Sequence, residues 1–266
     1  MEKSKYIGVL DSGLGGLTVV KELESILPHE NILYFGDNAN CPYGNRTHED
    51  ILNLSLAMLD FLQKQGIKIA VIACNTISAI VEELRKRYEF PIVSIIEEAC
   101  KFAAELKLAE LGIFATEFTI NRGTYNSRLQ RLCPETRVHG VPSRNLAALV
   151  DSGRFYDPAT DTEIRLMLST LIKSHPETKN VLLGCTHYPI VQDLFEQAAP
   201  DIKFINPAAV QAKAVSALLS VQELLNETSQ PIMDIYTSGN KQPYEAAIKK
   251  LEIIRPHTVT TAMGSN

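Results

Sequence analysis

Long hydrophobic runs are missing from this chain. No stretch reaches the roughly 18 apolar residues that a membrane helix needs, and residues 1–10 carry only a few apolar residues before Asp11, too few for a signal-peptide core. A soluble, cytoplasmic protein is expected, with no membrane partner. Paired cysteines are missing as well. The five present, Cys41, Cys74, Cys100, Cys133 and Cys185, are odd in number, widely spaced and without a CxxC pair, which argues against a disulfide framework or zinc module and for reduced thiols. Positive charge is not in excess: the net charge is -5, so nothing suggests the electrostatic footprint of nucleic-acid binding. A bound anion would have to be held by local dipoles.

No Gly/Ser linker, low-complexity segment or charge block interrupts the chain either. What is there is a 266-residue sequence with 45% hydrophobic residues, enough to bury a substantial core as one large domain or two small ones. Short apolar runs alternate with amphipathic stretches, the pattern of an α/β protein with a mainly parallel sheet. Strands are predicted at 6–10, 31–35, 69–73, 91–95, 110–114, 180–183, 203–205 and 233–237. Helical spacing is predicted at 17–26, 49–65, 77–88, 98–107, 121–132, 162–174, 190–199, 208–225 and 244–251. Turns near Ile96 and Asn206 suggest one α/β domain made of 1–96 plus 207–266 and a second of 97–206.

One internal echo carries information. Val71-Ile72-Ala73-Cys74-Asn75-Thr76 and Leu182-Leu183-Gly184-Cys185-Thr186-His187 each follow an apolar strand and precede an amphipathic helix. Each puts a cysteine at the carboxyl end of a strand, where open α/β sheets bind ligands. A thiol is a base only as thiolate, and its reference pKa of about 8.5 must fall for that form to be populated at neutral pH. A helix amino terminus would favour the anion at both cysteines. Each could also be a small apolar residue filling a strand end. Two in matched contexts suit inversion at an α-carbon, where one group removes a proton from one face and another delivers it to the opposite face.

Other residues surround this pair. Ile7 to Leu17 reads as strand, glycine-rich turn and helix; its N–H groups could cradle a carboxylate, or Gly13, Gly15 and Gly16 could simply make a tight connection. It lacks the Walker lysine and the full dinucleotide-binding spacing. Asp11 could assist a thiol or cap the following helix. His187, two residues past Cys185, suits a proton relay or a cap; with no further ligand cluster no metal is expected. Pro42-Tyr43-Gly44 is a turn by composition whose tyrosine and glycine N–H could bind a carboxylate. Cys41, Cys100 and Cys133 are read as structural. Two other classes remain open on these residues: a Cys185/His187 nucleophile and base for acyl transfer, and a non-catalytic small-anion binder using the glycine turn.

Taken in order, Asp11-Ser12-Gly13-x-Gly15-Gly16, Gly36-Asp37 to Pro42-Tyr43-Gly44, Ala73-Cys74-Asn75-Thr76 and Gly184-Cys185-Thr186-His187-Tyr188-Pro189 resemble glutamate racemase along nearly the whole chain. The resemblance implies two pseudo-symmetric α/β domains with the site between them. It implies a cytoplasmic enzyme that supplies D-glutamate for peptidoglycan, needs no cofactor or metal, and is commonly a homodimer. Cys74 and Cys185 would be the catalytic acid/bases, assisted by Asp11 and His187. Ser12, Tyr43, Gly44, Asn75, Thr76 and Thr186 would hold the substrate, together with Thr116 and Thr119 of a Thr-x-x-Thr element. The chain departs from the family pattern at Asn38 and Asn40, where Thr and Arg are usual. It departs also at Val141, where Cys is common, at Asp151, where Glu is usual, and at Asn206, where Asp is expected.

Overall fold

The computed structural model describes residues 2–262; residue 1 and residues 263–266 of the expected first domain lie outside them. In chain order the strands are β1 (Tyr6–Asp11), β2 (Ile32–Gly36), β3 (Ile67–Ile72), β4 (Ile92–Ser94), β5 (Glu110–Thr116), β6 (Arg137–Ser143), β7 (Asn180–Gly184), β8 (Lys203–Ile205), β9 (Met233–Thr237) and β10 (Thr258–Thr261). They form two all-parallel sheets, one ordered β10-β9-β2-β1-β3-β4 and the other β6-β5-β7-β8.

The central strands β1, β3, β5 and β7 are apolar along almost their whole length because helices cover both faces. The alternating side chains of β1 and β3 divide between two cores. Ile7, Val9, Ile69 and Val71 enter the larger one, which continues into the second sheet through Leu111, Ile113 and Leu183. Leu10, Ala70 and Ile72 enter the smaller one. The helices are α1 (Leu17–Ile26), α2 (His48–Lys64), α3 (Asn75–Ser78), α4 (Val81–Arg85), α5 (Ile95–Glu105), α6 (Glu117–Arg122), α7 (Thr124–Leu132), α8 (Leu146–Asp151), α9 (Pro158–Ser174), α10 (Gln192–Ala198), α11 (Ala208–Val221) and α12 (Gln242–Lys250). After the second sheet the chain returns to the first through α11, which packs on α1, α5 and β4. Buried Gln211 of α11 donates to the Ile72 and Val93 carbonyls at 2.9 and 3.1 Å, tying α11 to the first sheet beside Cys74.

Several sequence expectations are corrected. The helix expected over 121–132 is two helices, because Gly123 adopts the left-handed conformation at φ 67° between α6 and α7. That expected over 77–88 breaks at Ile80, between α3 and α4. That expected over 190–199 begins as a 3-10 turn, Tyr188–Val191, before α10. Two strands and one helix were not foreseen. β6 and β10 lie at sheet edges, with β6 containing Pro142 and β10 mostly exposed, so neither shows an apolar run. α8 is only six residues long, too short for a periodic signal.

At the amino-terminal end of the first sheet, Lys68 and Glu30 form an ion pair of 2.5 Å with both side chains almost fully buried. Lys68 also donates to the Lys3 and Leu224 carbonyls at 2.6 and 2.8 Å, while Glu30 accepts from the Asn226 N–H at 2.8 Å. Burial pushes the Lys68 pKa down, against the opposing pull of Glu30.

Candidate active site

Both sheets change direction of strand connection at their centres, β1 lying between β2 and β3, and β5 between β6 and β7. Crevices at the carboxyl ends of such strands bind ligands, and here the two crevices meet. A narrow, almost closed cavity of about 10 Å³ lies between them. Of the residues expected from the sequence to act in catalysis or hold substrate, all line it except Asp11 and Thr119; Pro42 and Ala147 complete the wall.

Cys74 follows β3 and Cys185 follows β7, each only 4% exposed, and both reach this one cavity. The Cys74 thiol lies 3.5 Å from the Ser12 hydroxyl. Burial first, and then the Asp11 charge, push it up to about 12; the Ser12 hydroxyl and the Ile77 N–H pull the other way, and nearby Cys185 adds to the rise. The helix effect expected from sequence is therefore overridden at Cys74, whose helix α3 has only four residues. At Cys185 its geometry is absent, since a turn and a 3-10 segment separate the sulfur from α10.

His187 stands beside Cys185 instead. Its Nδ1 lies 3.8 Å from the Cys185 sulfur and its Nε2 2.9 Å from Asp151 Oδ1. Burial alone would lower the imidazole pKa, but hydrogen bonds to Asp151, Cys185 and Cys41 prevail and hold it well above its usual value. Asp151, at the end of α8, also accepts the Leu14 N–H at 2.8 Å. Its role was visible in sequence only as an acidic position, Asp where Glu is usual. Cys41, read from the sequence as structural, sits against His187, and burial pushes its thiol up to about 12. Among the described residues, Cys41, Asp151 and His187 form the one grouping at this cavity with metal-ligand atoms within 4.8 Å of one another; His187 and Asp151 already use those atoms on each other.

Two N–H groups of the glycine turn are engaged within the protein. The Gly13 N–H donates to Asp11 Oδ1 at 3.0 Å, and the next N–H goes to Asp151. A Cβ on Gly13 would meet Asp151 Oδ1 at 2.0 Å, and one on Gly15 would meet Thr186 Oγ1 at 2.5 Å. The glycines are there so that the β1 turn can approach the second sheet. Asp11 lies beneath the cavity and accepts the Thr186 hydroxyl at 2.9 Å. The Tyr43 hydroxyl donates to Asp37 at 2.6 Å rather than pointing free, and Gly44 packs on Thr116. Thr116 caps α6 and, with Thr76 and Thr119, forms a hydroxyl cluster at 3.0 to 3.4 Å that spans both halves of the wall. Where the family pattern has an arginine at position 40, Asn40 instead accepts two hydrogen bonds from Arg46.

Complete burial raises the Asp11 carboxyl to about 6, against the pull of His187, Thr186 and Gly13. From about pH 4 to 6 the folded state therefore holds a proton that the unfolded state releases. The stability from this group is full below pH 4 and is lost as pH rises through 6. Replacing Asp11 by Asn should remove that loss: relative to the parent, the variant gains about 3 kcal/mol between pH 4 and pH 7.5, measurable by urea unfolding at the two pH values.

Comparison with known proteins gives a consistent picture. The family described as Asp/Glu/hydantoin racemase matches residues 7–215. A glutamate racemase of Syntrophus aciditrophicus is 38% identical over 228 residues, covering 85% of this chain and 84% of the relative. Solved structures of glutamate racemases from Bacillus anthracis and, with D-glutamate, from Francisella tularensis superpose with TM-scores of 0.90 and 0.88. Each is 30% identical and matched over 98% of both chains. No helix among the described residues is long and apolar enough to cross a membrane. On a match that spans most of its length, and on relatives of this identity and coverage, the chain belongs to the Asp/Glu/hydantoin racemase family.

Proposed function

We propose that this chain interconverts L- and D-glutamate by two-thiol acid/base catalysis. The observation that carries the reading is the arrival of Cys74 and Cys185, from different sheets, in one cavity. One sulfur, as thiolate, takes the α-proton, and the electron pair left on carbon spreads into the α-carboxylate. The other sulfur, as thiol, gives its proton to the opposite face. The product is the mirror image, and the thiol and thiolate have exchanged roles, so the cycle balances without another reactant. Cys74, held up at about 12, rests as the thiol. His187, whose pKa is held well above its usual value, lies 3.8 Å from the Cys185 sulfur. Asp151 holds that imidazole in place and balances its charge. Asn75, Thr76, Thr116, Thr186, Ser12 and the Tyr43-Gly44 turn supply the polar wall for the substrate's carboxylates and ammonium. Thr119 steadies the hydroxyls of Thr76 and Thr116, and Asp11 that of Thr186.

We take residues 1–96 plus 207–266 and residues 97–206 as the two domains, a division supported by strand membership: β5 to β8 fall in the second sheet and all others in the first. In the cell we expect a cytoplasmic homodimer that feeds D-glutamate to peptidoglycan synthesis, as the family resemblance implies. The deciding experiment supplies L-glutamate, L-aspartate and other amino acids separately in heavy water and follows optical rotation beside deuterium at the α-carbon. Glutamate should racemise with exchange. Racemisation of aspartate alone would replace the substrate, and absence of exchange with every amino acid would end the reading.

A further inference from the structure

We propose that Tyr125 is a positioning residue whose hydroxyl fixes which end of the Asn75 carboxamide faces the substrate, so that a hydrogen-bond donor and not an acceptor meets the substrate carboxylate. The inference rests on the reading of the cavity as a glutamate site. Asn75 is 2% exposed and lines the cavity. Its Oδ1 accepts the Tyr125 hydroxyl at 2.6 Å, while its Nδ2 is buried and has no partner. Buried donors are seldom left unpaired, and one that borders a cavity is a place for a ligand oxygen.

The two ends of a carboxamide are nearly equal in size, so packing alone does not choose between them. Tyr125 does. Among the described residues Asn75 is the only hydrogen-bond partner of that phenol, so turning the amide over would strip the O–H of its acceptor and aim a carbonyl oxygen at an anion. Burial holds the phenol well above its ordinary pKa, which keeps it a donor throughout the working range. The bond also joins the two proposed domains, since Tyr125 stands on α7 and Asn75 on α3.

Tyr125→Phe keeps the ring and removes the hydroxyl. Its KM for both enantiomers of glutamate should rise about tenfold, a loss of binding worth one hydrogen bond, with kcat changed much less. In an Asn75→Ala background the same change should add nothing further to KM, because the group it orients is gone. Asn75→Asp, which can still accept from Tyr125 but presents a second oxygen, should raise KM at least as far as Asn75→Ala. If the parent racemises glutamate and Tyr125→Phe leaves KM unchanged, or if the Tyr125 and Asn75 effects simply add, the inference is overturned alone. A parent inactive on glutamate overturns the functional reading and this inference with it.

Discussion

Cys74→Ser and Cys185→Ser should each slow glutamate racemisation by about 10³-fold, within the range expected for removal of a general acid or base. Serine fits either position, but its hydroxyl is a far weaker acid than a thiol and cannot share a proton with the remaining sulfur near neutral pH. The equilibrium constant between mirror images is one, so kcat/KM must fall equally in both directions. Isotope exchange separates the two variants. With one sulfur left, a proton can be taken from one face and returned to it, so each variant should wash deuterium into one enantiomer without inverting it, and the two variants should choose opposite enantiomers. Rates of racemisation near those of the parent in either variant would rule out the two-thiol mechanism. A thioester trapped on Cys185 would point instead to acyl transfer.

Lys68→Met should destabilise the fold by about 3–5 kcal/mol, because it leaves the Glu30 carboxylate uncompensated in the interior. Glu30 and Lys68 are almost completely buried, and the lysine additionally holds two carbonyls, one of them Leu224, just past α11. Combining Lys68→Met with Glu30→Gln should recover much of the loss, since the double variant buries no net charge. Urea unfolding of the parent, the single variant and the double variant measures this. Equal losses in single and double variants would mean that the two carbonyl contacts, rather than the ion pair, hold this region.

The thiol pair was legible because each cysteine is bracketed by local signals: an apolar strand before it and Asn/Thr after it. The strands buried on both faces, β1, β3, β5 and β7, were legible for the same reason, as uninterrupted apolar runs. What escaped was long-range. His187 was singled out, yet nothing near it in sequence indicates that Asp151 and Cys41 close around it. Tyr125 reads locally as a core aromatic, and its function depends on a partner 50 positions away. The expected helix dipole at Cys185 failed because apolar periodicity over 190–199 does not distinguish a 3-10 start from an α-helical one. That the glycine turn makes a close approach became visible only with the second sheet standing opposite it.

One strand, β3, has buried Lys68 near its foot and the sulfur of Cys74, proposed to be reactive, just beyond its tip, about 20 Å apart at the rise of an extended chain. Anchorage and chemistry are thereby kept at separate addresses on the same backbone. Damage at the foot should diminish how many molecules are competent while each survivor works at full speed; damage at the tip should do the reverse.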